Sequence, residues 1–128
     1  MIVLDEQLND SRIINPLARW YPGAVVVVNK LLSDPHCVLQ DHEIPRVLRK
    51  QKGPTFVTIN WADFWFEDIF DDRYCILCLK LDKARKLEVP AITRHVLELP
   101  DYDTKAKRLG TMLLWADGDK LKEKLHQT

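Results

Sequence analysis

Ala24-Val25-Val26-Val27-Val28 is an unbroken apolar run, almost all β-branched, preceded by Pro22-Gly23 and followed by Asn29. β-Branched side chains favour extended backbone, and an apolar run without alternation is the pattern of a strand buried on both faces. Such strands belong to parallel sheets covered by helices on either side. Upstream, Met1-Ile2-Val3-Leu4 predicts a strand over about Ile2–Asp5. A helix over Asn9 to Trp20 follows, with Leu8, Ile13, Leu17 and Trp20 near helical spacing and Pro16 straining its middle.

Downstream the alternation continues. A loop from Asn29 to about Gln40 contains Asp34-Pro35, after which Asp41 has the chemistry of a helix N-cap. Pro45 fits only a first turn, which predicts a helix over about His42 to Gln51, broken by Gly53-Pro54. Thr55–Asn60 is a third strand, Trp61–Phe70 a short aromatic helix, Tyr74–Leu81 a fourth strand, and Val89–Leu99 a helix stopped by Pro100. Thr111–Trp115 reads as a strand, and Asp117-Gly118 is a hairpin signal that favours a returning strand over Asp119–Leu125. Strand–helix alternation of this kind implies α/β architecture with a mostly parallel sheet of about four to five strands flanked by helices, with a C-terminal hairpin. The whole of residues 1–128 is expected to form one domain.

Composition narrows the function classes. The hydrophobic fraction of 46% is that of a globular protein rather than a disordered one. With 19 basic and 19 acidic residues the formal net charge is zero, so nucleic-acid binding would have to rely on local basic patches. Those are Arg46, Arg49, Lys50 and Lys52; Lys83, Arg85 and Lys86; and Lys105, Lys107 and Arg108. The first set shares a predicted helix with Glu43 and could flank a phosphate path. No secretory leader and no apolar run near 18 residues is present, which points to a cytoplasmic protein with no membrane span. Cys37, Cys75 and Cys78 all lie in apolar settings. The Cys75/Cys78 pair sits in a strand, where that spacing sends the two thiols to opposite faces, so they read as buried cysteines in a reducing compartment.

The chemistry-bearing residues are acids at strand ends. Asp5 and Glu6 close the first strand, Glu43 opens a helix, and Asp63 follows the third strand. In open parallel sheets the carboxyl ends of the strands line the ligand crevice. Carboxylates gathered there repel one another unless a divalent cation neutralises them. Asp5 is the better ligand of the first pair, because neighbouring strand side chains point to opposite faces. Thr58 and Asn60 share one face as the third strand ends, and with Asp63 they form an oxygen set suited to a hard cation such as Mg²⁺ or Mn²⁺. Each acid also has an ordinary structural role available, as a helix cap or dipole partner. Trp61, Phe64, Trp65, Phe66 and Phe70 could stack bases, although packing in the core or on a partner is the commoner use of such a cluster.

Leu4-Asp5-Glu6, Asp41-His42-Glu43-Ile44 and Val57-Thr58-Ile59-Asn60-Trp61-Ala62-Asp63-Phe64 together resemble a small PIN-like domain family, commonly regarded as toxin-like nucleases of prokaryotic toxin–antitoxin pairs. The likeness covers the N-terminal half and somewhat more. It implies a three-layer PIN-like fold, and metal-assisted hydrolysis of RNA with Asp5, Glu43 and Asp63 holding Mg²⁺ or Mn²⁺. Asn60 would assist, with Thr58, by orienting water. It also implies a small antitoxin protein as partner, while the aromatic excess makes self-association plausible. Gln7 and Asn60 stand where the family pattern has Asn and Asp. The neutral Asn60 motivates a second reading, a PIN-like module that binds without cutting. A third, a receiver-like domain, requires a phosphorylatable Asp at the end of strand three, where Asn60 stands.

Overall fold

The computed structural model describes residues 1–32, 34, 39–66, 71–116 and 120–125. Among the described residues six strands form one sheet: β1 (Ile2–Leu4), β2 (Val25–Val27), β3 (Thr55–Thr58), β4 (Cys75–Leu79), β5 (Thr111–Ala116) and β6 (Lys120–Leu125). Their order is β2-β1-β3-β4-β5-β6. The first five are parallel and β6 is antiparallel to β5, with Thr111 opposite Leu125. The expected α/β fold with a mostly parallel sheet is therefore observed. The returning strand of the C-terminal hairpin makes the sixth strand, while its turn, Asp117-Gly118, lies outside the described residues.

Side-chain alternation divides the core into two layers. Ile2, Leu4, Val57, Cys75, Leu77, Leu79, Leu113 and Trp115 face α1 (Ser11–Trp20) and α4 (Val89–Leu97), meeting Ile13, Leu17, Val89 and Val96. Val3, Phe56, Ile76, Cys78, Met112 and Leu114 face the opposite way. They meet Ile44, Val47 and Leu48 of α2 (Ile44–Arg49) and Phe64 of α3 (Trp61–Trp65). Helices thus cover both faces of the sheet, as its parallel strands require. Cys75 and Cys78 fall on opposite faces, as their spacing demands, whereas Cys37 lies outside the described residues. A four-residue helix, α5 (Lys105–Arg108), leads into β5 through Gly110 at φ +79°.

Local chemistry accounts for the boundaries. Asp10 caps α1 by accepting from the Arg12 amide at 2.9 Å, so the helix starts two residues later than expected. Pro16 is accommodated within it. Pro45 and Pro90 occupy the first turns of α2 and α4, where no amide hydrogen is missed. Asp41 opens a short 3-10 turn, Asp41–Glu43, rather than preceding a helix, and its side chain is outside the description. Helix α3 ends at Trp65, and residues 67–70, including Phe70, are outside it too.

Two expectations need correction. The Val25–Val27 strand, expected to be buried on both faces, has Val25 and Val26 only partly buried, and it lies at the edge of the sheet. An uninterrupted apolar run carries no information about whether both edges are paired, and at an edge the covering helices leave side chains on both faces partly open. Arg108, grouped with surface bases, is buried at 5% exposure. Its Nε donates to Thr55 Oγ1 at 3.1 Å and its Nη1 to the Tyr102 carbonyl at 2.8 Å, so it ties α5 to β3 as a structural group. Among the described residues no helix is long and apolar enough to cross a membrane.

Candidate functional site

Strand order decides where a site can form. Chain connections run from β1 outward to β2 and then back across β1 to β3, so the order reverses between β1 and β3. Ligands in doubly wound sheets bind outside the carboxyl ends of the strands flanking such a reversal. The parallel register sets Leu4 opposite Val57, which places Asp5 beside Thr58 across a separation of 53 residues.

Asp5 is 5% exposed, the one buried acid among the described residues. Its Oδ1 accepts from the Glu6 amide at 2.8 Å and its Oδ2 accepts from the Thr58 hydroxyl at 2.7 Å. Thr58 Oγ1 in turn accepts from the Asn60 amide at 3.0 Å, and Asn60 Nδ2 donates to Asp63 Oδ2 at 2.9 Å. A continuous hydrogen-bonded chain therefore runs Asp5–Thr58–Asn60–Asp63 along the carboxyl ends of β1 and β3. Burial pushes the Asp5 carboxyl above its ordinary value, and the Thr58 and Glu6 hydrogen bonds pull the other way. Asn60 occupies the N-cap position of α3, yet its side chain makes no capping bond and reaches Asp63 instead.

Glu43 does not join this chain. Its Oε1 accepts from the Gln40 amide at 3.4 Å and its Oε2 lies 3.9 Å from Arg46. Together with His42, Arg46 and Arg49 it lines an open cavity of about 450 Å³. Among the described residues, no three of His, Cys, Asp and Glu are grouped closely enough to hold a metal ion, so Asp5, Glu43 and Asp63 are not pre-assembled as a trio.

One participant escaped sequence reasoning. Asn29, in the 3-10 turn Val28–Leu31 just beyond β2, donates through Nδ2 to Glu6 Oε1. Its amide oxygen is buried with no hydrogen-bond partner among the described residues. Its position immediately after a β-branched run was the available signal, the same signal that singled out Asp5. Asn29, Glu6, Asp5 and Thr58 thus mark the carboxyl ends of three adjacent strands.

The donor set is all oxygen, which suits a hard cation and not a soft one. Among the described residues each Asp5 oxygen accepts a single hydrogen bond, and a cation would offset the cost of burying its charge. Mg²⁺ is commonly held through only one or two carboxylates while keeping several waters. No protein-family model matches the chain, and no curated protein or solved structure matches it significantly.

Proposed function

We propose that the chain is a metal-dependent ribonuclease, acting as the toxin member of a pair with a small antitoxin protein. The observation that carries this reading is the buried Asp5 carboxylate at the β1/β3 reversal, linked through Thr58 and Asn60 to Asp63. Mg²⁺ or Mn²⁺ would be held by Asp5 and Asp63, with Glu43 as the third carboxylate that the family resemblance implies. A bound cation would supply charge neutralisation at the phosphodiester and a more acidic water.

The residues have separable tasks. Thr58 holds Asp5 in one rotamer, so its carboxylate presents a fixed direction. Asn60 restrains Asp63, which is otherwise exposed on α3. Asn29 restrains Glu6 at the neighbouring strand end. A preorganised set of oxygens needs little rearrangement to receive charge, which is where such sites gain their effect.

The engagement of Asp63 by the neutral Asn60 favours, as the second reading, a PIN-like module that binds without cutting. The strand order β2-β1-β3-β4-β5 is also that of receiver-like sheets, but β3 here ends at Thr58 and is followed by Ile59-Asn60, with no Asp at that strand end to phosphorylate. Calorimetric titration with Mn²⁺, beside an Asp5→Asn variant, separates these. Saturable binding lost in the variant, with cleavage of RNA that needs the metal, is the expected result. Folded wild-type protein that binds no Mn²⁺ would remove the nuclease reading.

A further inference from the structure

Helix α3 carries more than Asp63. Trp61 and Trp65 are half-buried against the sheet, and Phe66, the next residue, is 69% exposed. The Trp61 and Phe66 rings lie 5.8 Å apart at 53°. Lys80, at the carboxyl end of β4, places its ammonium 5.0 Å from the Trp61 ring centre. Lys124 of β6 sits 4.3 Å from the Trp65 ring and donates to the Trp65 carbonyl at 2.6 Å. Phe66 follows Asp63 by three residues, roughly 4.5 Å along a helix axis, so this surface adjoins the Asp5–Asp63 chain.

Phe66 is the most exposed of the large apolar side chains among the described residues, a ring available to a ligand. The surroundings identify the use. A protein-docking patch would be centred on contiguous apolar side chains with charge kept to the rim. Here an ammonium group lies over each tryptophan ring, Lys80 on Trp61 and Lys124 on Trp65, and the other large exposed apolar residues among the described ones, Leu87 and Leu125, belong to other segments. Alternating cations and aromatic faces is the arrangement that tracks a single nucleic-acid strand, the cations on phosphates and the rings on bases. It also answers the zero net charge, because stacking binds a strand without a strongly basic surface.

We propose that Trp61, Phe66 and Lys80 form a stacking platform for single-stranded RNA, with Phe66 bearing an unpaired base and Lys80 an adjacent phosphate. This rests on the ribonuclease reading and names how its substrate is gripped: an unpaired strand, led across α3 toward Asp63 and Asp5. A duplex, whose bases are already stacked, gains nothing from the ring.

Fluorescence anisotropy in EDTA tests this without requiring cleavage, using a labelled ten-residue oligouridine and an abasic ribose-phosphate strand of equal length. Phe66→Ala is expected to weaken oligouridine binding about tenfold and leave the abasic strand unaffected, from the usual contribution of one base–aromatic stack. Lys80→Gln is expected to weaken both and lower the salt slope by about one. No binding by wild type, an unchanged Phe66→Ala affinity, or an equal loss on both strands overturns the platform. So does a wild-type dimer that Phe66→Ala converts to monomer in sedimentation, which would assign the ring to a second copy. A wild type that binds oligouridine yet never cleaves it with Mn²⁺ added sinks the nuclease reading alone.

Discussion

Thr58→Val probes the centre of the hydrogen-bonded chain with almost no change in shape. Thr58 is fully buried, and its hydroxyl both donates to Asp5 at 2.7 Å and accepts from the Asn60 amide at 3.0 Å. A hydrogen bond to a charged partner contributes about 1.5–3 kcal/mol, and an abandoned buried group costs a similar amount. A loss of about 2 kcal/mol at pH 7 follows. Unfolding entropy near 2.1 cal/mol/K per residue gives about 0.27 kcal/mol/K for 128 residues, so Tm should fall by about 7 °C. The pH dependence is the sharper test. Burial holds the folded-state pKa of Asp5 above its ordinary 3.8, and the Thr58 bond restrains that rise. Without the bond the pKa rises further. A group whose folded pKa is raised in this way destabilises the fold as pH climbs from the unfolded pKa through the folded one. The gap between wild type and variant should therefore be widest above the folded-state pKa and shrink as the pH falls toward 3.8. Denaturant melts at pH 7 and pH 4, with Thr58→Ser as a control that keeps the hydroxyl, decide the matter. A Tm within 2 °C of wild type at pH 7, or a gap that ignores pH, would refute the account.

Further predictions concern other parts of the molecule. Asp5→Asn removes a charge that is costly to bury, so the variant should be at least as stable as wild type at pH 7 by urea denaturation while losing Mn²⁺ binding; wild type should regain ground as the pH falls and Asp5 protonates. Gly53 has φ +58°, and a Cβ there would lie 2.8 Å from Lys105 Cδ, so Gly53→Ala should cost about 1–2 kcal/mol, read as a lower urea midpoint. Burial pushes the Cys75 thiol up to about 11 and the Cys78 thiol up to about 12. Both should resist iodoacetamide at pH 8 in native protein and react in denaturant, as peptide masses would show.

Much of the fold was legible because local pattern carries it. The β-rich runs at about 2–5, 24–28, 55–60, 74–81 and 111–115 each hold a strand, at 2–4, 25–27, 55–58, 75–79 and 111–116, since both faces of the sheet are covered and little polar alternation was needed. Pro45 marked the start of α2 because a first turn misses no amide hydrogen there, whereas the Asp10 cap that starts α1 at Ser11 was not read from the sequence, which placed that helix from Asn9. The edge position of β2 was not legible, because apolar content says nothing of lateral neighbours. Arg108 looked like one of three surface bases on a short charged segment; only the packing of α5 against β3 turned it inward to Thr55 and the Tyr102 carbonyl.

For the candidate site the division is similar. That Asp5 and Asn60 end up at strand ends follows from the sequence, because each closely follows a run that reads as a buried strand, and Asp63 comes with them in the first turn of α3. Which strand ends meet does not follow from it. The order β2-β1-β3-β4-β5-β6 seats β3 beside β1, and the Leu4–Val57 register then puts the Thr58 hydroxyl on the Asp5 carboxylate. The same arrangement brings Asn29 to Glu6 and leaves Glu43 with Arg46 and Gln40. Sequence acts through neighbours a few residues apart, which is enough to choose strand or helix and to cap it. Pairing across 53 residues is settled by the competition among whole strands for the most buried edges, and that exists only once the sheet has assembled.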